Sequence, residues 1–482
     1  MAGIGFELKK LFRDGGILST LRAYGYAGVV CTGPMLLGIV LQMGVLALSG
    51  AWGVARDSQD LFVCMVTYSL LASLVFSSFF SLVVTRYLAD MLFSGRDGAV
   101  LPSFWGSNAV MLAAGCPLYG LFLAVSGATL VQGILCLALF AEMVANWNAM
   151  SYLTAIKDYR GILRSFAAAV VVALGSAALV LAAGLPPVES LLASVFAGYG
   201  VMLVWNTVLL YRVFPETGES PWRFLAWIDR YRPLAFIGAL TNIGLFAHLV
   251  IVWASPIGVQ VRGLFYGAPY YDIAALLAFL TALVTTVNFV VSVEVNFYPS
   301  YRRYYGLYNE GGTAGDIAAA ESEMLSVLAR ELRYCAIKQL FACTVAVSLG
   351  PVLLGLVPLG FNDLMHGYFR TLCVGYGLYA VGNAVMLILL YFADYRGAFR
   401  ATAAFAALSA CFTLASLSFD QTFYGFGFVA ASAVFFALCT LRLARFTSNL
   451  PYRILSRGPI VEHARPGAFT KLAFMLERGT FR

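Results

Sequence analysis

Charged side chains are scarce in this sequence. They make up 11% of 482 residues, while hydrophobic residues make up 61%; soluble proteins carry roughly 25% charged residues. A soluble globular protein is therefore excluded, and the sequence predicts a chain that mostly faces lipid. The net charge of +7 indicates no nucleic-acid partner, because basic loops beside a bilayer face anionic headgroups.

Groups that carry metal or covalent chemistry are also few. The three histidines, His248, His366 and His463, are far apart in the sequence, and the nine cysteines form no CxxC pair, which argues against a metal site or a disulfide framework. The sequence contains no GxxxxGK[ST] phosphate loop, HExxH motif or nucleophile elbow. We therefore predict no metal, no cofactor and no enzymatic activity.

Long apolar stretches are what the sequence has in abundance. A bilayer core requires about 20 apolar residues per helix, and twelve stretches approach that length. Their limits are 23–48, 61–84, 104–125, 130–152, 165–183, 191–211, 235–253, 272–293, 339–357, 368–392, 402–419 and 423–441. The sequence thus predicts an all-α polytopic membrane protein with twelve spans.

The positions of Lys and Arg predict the orientation. If the N-terminus is cytoplasmic, all of the 31 basic residues except Arg56, Arg262 and Arg370 fall on the cytoplasmic side. Such segregation is the positive-inside pattern. We therefore expect both termini in the cytoplasm.

A repeated heptapeptide indicates duplication. The sequence DYRGILR at 158–164 recurs as DYRGAFR at 394–400, and each copy follows the fourth apolar stretch of its half. Two halves of six spans each enter the membrane in the same direction, so they form parallel repeats, a plan used by several transporters. Transport is the function that this plan favours.

The repeat divides the chain into five regions. They are an interfacial amphipathic helix over 1–22, a six-helix bundle over 23–211, a cytoplasmic linker over 212–234, a second six-helix bundle over 235–441 and a basic cytoplasmic tail over 442–482. Within the second bundle, residues 294–338 form the longest cytoplasmic loop. Apolar residues recur there at helical spacing from Ile317 to Leu332, and we expect Asp316 to cap that helix.

Polar residues inside the spans are candidates for a transport path. An acidic side chain at the depth of Glu142 costs about 2.5 kcal/mol or more, so it should face protein or water. Glu142 either lines a transport path or holds helices together. A lone histidine in a membrane helix, such as His248, more often forms structural hydrogen bonds than relays protons. The path candidates are Glu142, Asn146, Trp147, Asn148, Asn242, His248, Asn288, Glu294 and Asn383.

Cytoplasmic residues form a second group of candidates. The acidic and basic residues of the two heptapeptides either form a latch between the halves or simply cap helices, and the aromatic and basic run of the long loop is a candidate partner surface. These residues are Asp158, Arg160, Asp394, Arg396, Tyr301, Arg302, Arg303 and Tyr304.

Three segments carry a resemblance to a known family. The N-terminal sequence MAGIGFELKKL, the segment RYLAD at 86–90 and the run YPSYRRYY at 298–305 resemble the PelG family of inner-membrane exopolysaccharide transporters. The resemblance implies the fold of multidrug, oligosaccharidyl-lipid and polysaccharide exporters. It further implies an N-acetylhexosamine-rich polymer as substrate and, as partners, a cytosolic glycosyltransferase and membrane subunits that include a cyclic di-GMP-binding protein.

Two other functions remain open from the sequence. In an ion-coupled flippase of lipid-linked oligosaccharides or an antiporter of small molecules, Glu142 would be the coupling acid. In a non-transporting scaffold for the synthase, the loop 294–338 would matter and the polar residues of the spans would not. Replacing Glu142 and altering the loop separate these functions from polymer export.

Overall fold

The computed structural model describes residues 17–153, 159–355, 361–455 and 467–480, and nearly all of them are helical. The helices are α1 (Ile17–Ala51), α2 (Arg56–Phe93), α3 (Val100–Val125), α4 (Leu130–Leu153), α5 (Tyr159–Ala182), α6 (Pro187–Val213), α7 (Leu225–Arg230), α8 (Arg232–Trp253), α9 (Pro269–Phe279), α10 (Leu283–Val291), α11 (Tyr298–Glu310), α12 (Ala314–Gly355), α13 (Asp363–Tyr391), α14 (Tyr395–Ser416), α15 (Phe426–Thr447), α16 (Leu450–Leu455) and α17 (Ala468–Thr480). Short 3₁₀ turns occupy Asp97–Ala99, Leu280–Ala282 and Gln421–Phe423, and a π-helical turn occupies Ser292–Phe297.

Eleven helical stretches of the described chain are long and apolar enough to cross a membrane, and they coincide with the second to twelfth predicted spans. Helix α1 contributes the shorter apolar segment Leu36–Ala51. The prediction of an all-α polytopic membrane protein is confirmed. The count of twelve spans and the cytoplasmic termini stay predictions, and most of the predicted interfacial helix over 1–22 lies outside the described residues.

The helices begin and end at residues that favour helix termini. Proline is the first residue of α6 and of α9, where its missing N–H costs nothing. Asn362 caps α13, its side chain accepting a hydrogen bond from the amide of Met365 at 2.9 Å. Gly311, at φ 87°, ends α11 in the left-handed conformation that glycine adopts most easily.

The chain forms two compact units. Of the described residues, unit 1 comprises those within 17–32, 247–255 and 268–455, and unit 2 comprises those within 33–246, 256–267 and 467–480. The units follow the two predicted halves in most of their spans. The exceptions are the first part of α1, which belongs to unit 1, and the first part of α8, residues 256–267 and α17, which belong to unit 2. Phe236 of α8 contacts Phe79 of α2, with ring centroids 6.5 Å apart.

The same pairs of spans pack together in each unit. In unit 2, α4 packs on α2, α3 and α6, and α5 packs on α6. In unit 1, α13 packs on α9, α12 and α15, and α14 packs on α15. Span by span these are equivalent pairs, so the fourth span of each half is the central helix. The parallel repeat predicted from one heptapeptide therefore extends to the packing of both halves.

The predicted loop 294–338 is instead a helical hairpin. The eighth span continues through the π-helical turn into α11, giving an apolar-to-polar helical stretch from Pro269 to Asn309, and α12 runs back into the ninth span. Ala320, Met324 and Leu328 are buried, as the helical spacing predicted. The cap was predicted wrongly: Thr313 caps α12, its hydroxyl accepting from the Asp316 amide and donating to the Asp316 carboxylate.

The segment between the halves, predicted as a short polar linker over 212–234, is folded onto unit 2. The indole of Trp227 in α7 donates to the Asp90 carboxylate at 2.9 Å and packs edge-on against Tyr87, with centroids 4.9 Å apart. Arg96 forms an ion pair with Glu219 at 2.6 Å. The linker is therefore an ordered part of this unit.

The C-terminal tail is folded onto the same linker. Asp229 of α7 accepts hydrogen bonds from the amide and the hydroxyl of Thr470, at 2.7 and 2.9 Å, and so caps α17. Burial raises the pKa of Asp229, but the bonds from Thr470 and the pairing with Arg232 outweigh burial and hold this pKa below its usual value. The predicted basic tail over 442–482 thus contains the end of α15 and a docked helix.

One β-hairpin lies in the described chain between α8 and α9. Its strands β1 (Val259–Arg262) and β2 (Phe265–Gly267) are antiparallel, with a bulge between Gln260 and Arg262. The hairpin packs on unit 2, where the amide of Tyr266 donates to the Tyr68 hydroxyl at 3.1 Å.

Candidate functional site

Three consecutive residues of α4 each bind a different helix of unit 2. The Asn146 amide donates to the Tyr199 carbonyl of α6 at 3.2 Å, and the Trp147 indole donates to the Ser73 hydroxyl of α2 at 3.0 Å. Asn148 donates to Ser107 and Asn108 of α3, at 2.8 and 2.9 Å. Neighbouring helical positions point about 100° apart, so one polar run can hold three neighbours.

This arrangement assigns most of the run to helix packing. Asn146 and Asn148 are 0% and 2% exposed, and buried amides with satisfied donors fix the register of the helices that they join. Trp147 is half-buried. Of the three path candidates in this run, Trp147 therefore remains the one that retains accessible surface.

Glu142 lies one helical turn before Asn146 and differs from it in its surroundings. It is half-buried, and its Oε2 atom is buried without a hydrogen-bond partner. A Cβ added at Gly200 of α6 would come within 2.9 Å of Oε1, so the absent side chain at Gly200 makes room for the carboxylate. Among the ion pairs of the described residues, none involves Glu142. The site can hold a carboxyl group, but within the described ranges no basic side chain pairs with it.

His248 lies in the core of unit 1. Its Nδ1 and Nε2 atoms are 2.8 Å from the Tyr271 hydroxyl and 3.2 Å from the Tyr376 hydroxyl, and its ring centroid is 4.2 Å from that of Phe428. The side chain is 0% exposed. These contacts join α8 to α9, α13 and α15, which is the geometry of a structural hydrogen-bonding residue.

A second polar cluster of unit 1 joins α10 to α12. The Lys338 ammonium donates to the Asn288 side chain at 2.6 Å, and the Gln339 side-chain oxygen accepts from the amide and hydroxyl of Thr285, at 3.2 and 2.7 Å. The 3₁₀ turn before α10 leaves early N–H groups of that helix without a partner in their own helix, and Gln339 satisfies one of them. Asn288 is buried, but its Nδ2 atom has no partner in the described chain.

The remaining path candidates are not gathered into one cluster. Asn242 of α8 and Asn383 of α13 are half-buried, and Glu294 belongs to the π-helical turn. Such turns interrupt the regular ladder and occur often at functional sites. The candidates therefore divide between two separate units, each with its own polar contacts.

The second heptapeptide forms a buried ion pair. The Arg442 guanidinium of α15 donates from Nε and Nη2 to the Asp394 carboxylate, at 2.5 and 2.9 Å. Asp394 also caps α14, accepting from the Gly397 amide at 3.4 Å. A Cβ at Gly397 would collide with both members of the pair, which explains the glycine of the motif. Both residues belong to unit 1, so this pair holds two helices of one half.

The first heptapeptide is less fully described. Asp158 lies outside the described residues, and Arg160 is exposed, as Arg396 is in the second copy. A latch between the halves therefore stays a prediction.

The aromatic and basic run on α11 divides between core and surface. Tyr304 is 0% exposed, whereas Tyr301 is half-buried and donates from its hydroxyl to the Tyr391 carbonyl at 3.1 Å. Arg303 pairs with Glu323 of α12 at 2.7 Å, and Arg302 is exposed. Only part of the predicted partner surface is thus available to a partner.

Several residues of these clusters were not predicted from the sequence. Asn206 donates to Asn146 at 3.4 Å, and Asn108, Lys338 and Gln339 complete the contacts described above. Asn108 and Asn206 lie in apolar stretches, where an amide is unusual enough to mark a residue as a candidate. Lys338 lies at the end of the predicted loop, where a basic residue is ordinary and marks nothing. Among the described residues, no group of three His, Cys, Asp or Glu side chains is placed to hold a metal ion.

The sequence matches one family over residues 1–455, that of PelG, described as "Putative exopolysaccharide Exporter (EPS-E)". The chain belongs to the PelG family. The match covers all of the spans and the α11–α12 hairpin, and ends before α17. None of the curated protein sequences compared with this PelG-family chain matches it.

Solved transporter structures share the fold. A transporter of the MOP superfamily from Pyrococcus furiosus aligns with a TM-score of 0.57 and 14% identity, over 88% of this chain and 96% of the other. A MATE protein in its bent conformation aligns with a TM-score of 0.57 and 15% identity, over 89% and 97%. An inward-facing multidrug-resistance MATE transporter gives 0.56 and 12%, over 88% and 99%. At these identities the likeness shows the fold alone. The PelG-family chain is thus a multi-pass membrane protein with a transporter fold, in a family of polysaccharide exporters.

Proposed function

We propose that this protein exports a growing, N-acetylhexosamine-rich exopolysaccharide across the bacterial inner membrane, receiving it from a cytosolic glycosyltransferase. The observation that carries the proposal is the family match over residues 1–455, on a chain with a transporter fold. The other membrane subunits of the assembly, among them a cyclic di-GMP-binding protein, belong to the same proposal.

The chemistry of the spans supports a hydrated polymer as cargo. Among the path candidates that keep accessible surface, Trp147 carries an indole and Asn242 and Asn383 carry amides. Amides and hydroxyls recognise sugar hydroxyls without the strong, localised charge expected for a small cation. Polymer export also needs no chemistry in this chain, since bond formation belongs to the synthase.

Export is tested by separating secreted from retained polymer. A strain that lacks this chain but retains its synthase should stop secreting polysaccharide, and the wild-type chain should restore secretion. Normal secretion without the chain would overturn the proposal. A second test uses a variant of this chain that keeps its spans intact but no longer co-purifies with the synthase. If this variant restores secretion, export does not require coupling to the synthase.

An ion-coupled flippase is the second candidate, and Glu142 favours it. Its unpartnered Oε2 atom against Gly200 is the arrangement in which a carboxyl group exchanges a proton or accepts a small cation. Glu142→Gln keeps the size of the side chain and removes its ability to exchange a proton or bind a cation. If polymer secretion persists in this variant, export does not depend on this acid; if secretion stops while the protein remains folded, ion coupling becomes the better mechanism.

Coupling to the synthase is tested at the exposed Arg303–Glu323 pair. Arg303→Glu places two acidic side chains together, and the exchange variant Arg303→Glu with Glu323→Arg restores the pair with reversed positions. If the synthase binds this surface, it no longer co-purifies with either variant. If the pair only stabilises the hairpin, the exchange variant recovers full co-purification. A synthase that binds equally in all variants does not dock here.

A further inference from the structure

One face of α11 carries partly exposed residues of the types that bind sugars. Tyr298, Arg302, Tyr305 and Asn309 recur at spacings of four, three and four residues, which places them on one stripe of the helix. Tyr298 and Tyr305 are half-buried, and Arg302 and Asn309 are exposed. We call these four residues the tyrosine stripe.

Neighbouring rings hold Tyr305 of the stripe in place. The ring of Tyr305 lies 4.5 Å from that of Tyr301 and 5.3 Å from that of the buried Tyr304. Tyr301 is itself fixed by its bond to the Tyr391 carbonyl. Ordered aromatic rings lose little side-chain entropy when a ligand stacks on them. Ligand stacking on Tyr305 therefore carries a small entropic cost.

Lipid headgroups do not account for the length of the stripe. The helical stretch Pro269–Asn309 has 41 residues, or about 62 Å at 1.5 Å per residue, and a tilt of about 20° leaves about 58 Å. A whole bilayer measures about 40–45 Å including both headgroup layers. Tyr298 lies near the headgroup level by this measure, whereas Tyr305 and Asn309 at the far end of α11 project into water, beyond the depth at which interfacial tyrosines serve as a membrane belt.

We propose that the tyrosine stripe binds the polysaccharide chain on the cytoplasmic side, before the chain enters the transporter. The inference rests on the proposed export function and names a site for its substrate. The two tyrosine rings, about 10 Å apart along the helix axis, stack on the apolar faces of successive sugars. Arg302 and Asn309 donate hydrogen bonds to hydroxyl or acetamido oxygens between and beyond them.

The ligand is thus an extended chain of pyranose sugars rather than a single sugar. One ring offers one stacking face, whereas a stripe with two spaced rings gains affinity only from a ligand long enough to reach both. Arg303, next to Arg302 but about 100° further round the helix, is engaged otherwise, since it pairs with Glu323. This separates the proposed sugar site from the surface tested for the synthase.

The test uses the full chain in lipid nanodiscs and soluble hexamers of N-acetylglucosamine and of N-acetylgalactosamine as probes. Binding is measured by calorimetry for the wild type, for Tyr298→Ala with Tyr305→Ala, and for Tyr298→Phe with Tyr305→Phe. The phenylalanine pair keeps both rings. Tyr452→Ala is the matched control, because Tyr452 is 73% exposed and belongs to a different helix, α16.

We expect the wild type to bind at least one hexamer and the alanine pair to weaken binding about tenfold or more. The phenylalanine pair and Tyr452→Ala should retain most of the affinity, and the monosaccharides should bind much more weakly than the hexamers. Thermal unfolding shows whether the alanine pair is folded; if it is not, Arg302→Ala and Asn309→Ala, at exposed positions, must each weaken binding.

Equal binding by the alanine pair, or an equal loss in Tyr452→Ala, overturns the inference. So does a wild type that binds neither hexamer while its cells secrete polysaccharide; that result leaves export standing and removes only this site. Normal secretion by a strain that lacks this chain, with hexamer binding by the purified chain intact, would instead contradict the proposed function and leave a sugar-binding helix.

Discussion

The side-chain amide of Asn148 donates to the side-chain oxygen of Asn108 across 2.9 Å, in a part of unit 2 that is closed to solvent. Asn148→Ala removes this donor and leaves buried acceptors unpaired, which costs about 1–3 kcal/mol. We expect a lower unfolding temperature for the purified protein in detergent. Asn383→Ala is the control, since Asn383 is a half-buried amide of the other unit. Equal stability of the Asn148 variant and the wild type would show that the network does not hold the helices.

The contact between Glu142 and Gly200 can be measured by a double-mutant cycle. Gly200→Ala places a methyl group 2.9 Å from the Glu142 carboxylate, and overpacking of this kind costs about 1–3 kcal/mol. Glu142→Ala should remove most of that cost, so the two changes together should be less harmful than their sum. Additive effects on the unfolding temperature would mean that the carboxylate does not occupy the space above Gly200.

The Asp394–Arg442 pair should stabilise unit 1. Asp394 is 0% exposed, so Arg442→Ala leaves a buried carboxylate without its charged donor, at a cost of about 1.5–3 kcal/mol. Gly397→Ala should be similarly harmful, because its methyl group would enter the space of the pair. Arg396→Ala, at an exposed position of the same motif, should change stability by less than about 0.5 kcal/mol. The expectation is wrong if Arg396→Ala costs as much as Arg442→Ala.

Ala393 offers a stabilising change. It is the one non-glycine residue with positive φ in the described chain, at 55°, where α13 ends before Asp394. An L-residue in the left-handed region carries a cost of about 1–2 kcal/mol, which glycine avoids. Ala393→Gly should therefore raise the unfolding temperature of the purified protein. A decrease would show that the alanine methyl group contributes packing that outweighs the backbone cost.

Docking of the C-terminal helix should depend on Asp229. Asp229→Asn weakens the cap that Thr470 receives, and amide hydrogen exchange over 468–480 should become faster, while exchange in α13 should not change. Lys471→Ala, exposed on the same helix, is the control. Because the pKa of Asp229 is lowered in the fold, its contribution is complete above the ordinary value near 3.8 and is lost only as the pH falls through the lowered value. Docking should thus be unchanged between pH 6 and 8.

Apolar length predicted the second to twelfth spans well, because membrane helices must be long and apolar regardless of their neighbours. The depth and polarity of residues within the spans predicted the transport path less well. They identified Asn146 and Asn148 as unusual, but could not show that each points to a neighbouring helix rather than to a path. The Arg442 partner of Asp394 was beyond sequence reasoning, since the two are 48 residues apart. The loop 294–338 was misjudged because its hydropathy falls while its helical spacing continues.

The unbroken course of α12 into the ninth span, and of α11 from the eighth, has a mechanical consequence. Two packed helices of this length behave as a stiff lever arm, with the π-helical turn at 292–297 as the irregular point in one of them. A molecule that pushes or pulls on the tip, in water, applies torque to helices inside the lipid. Work done on the tip outside the bilayer can thereby move transmembrane segments without any ligand entering them.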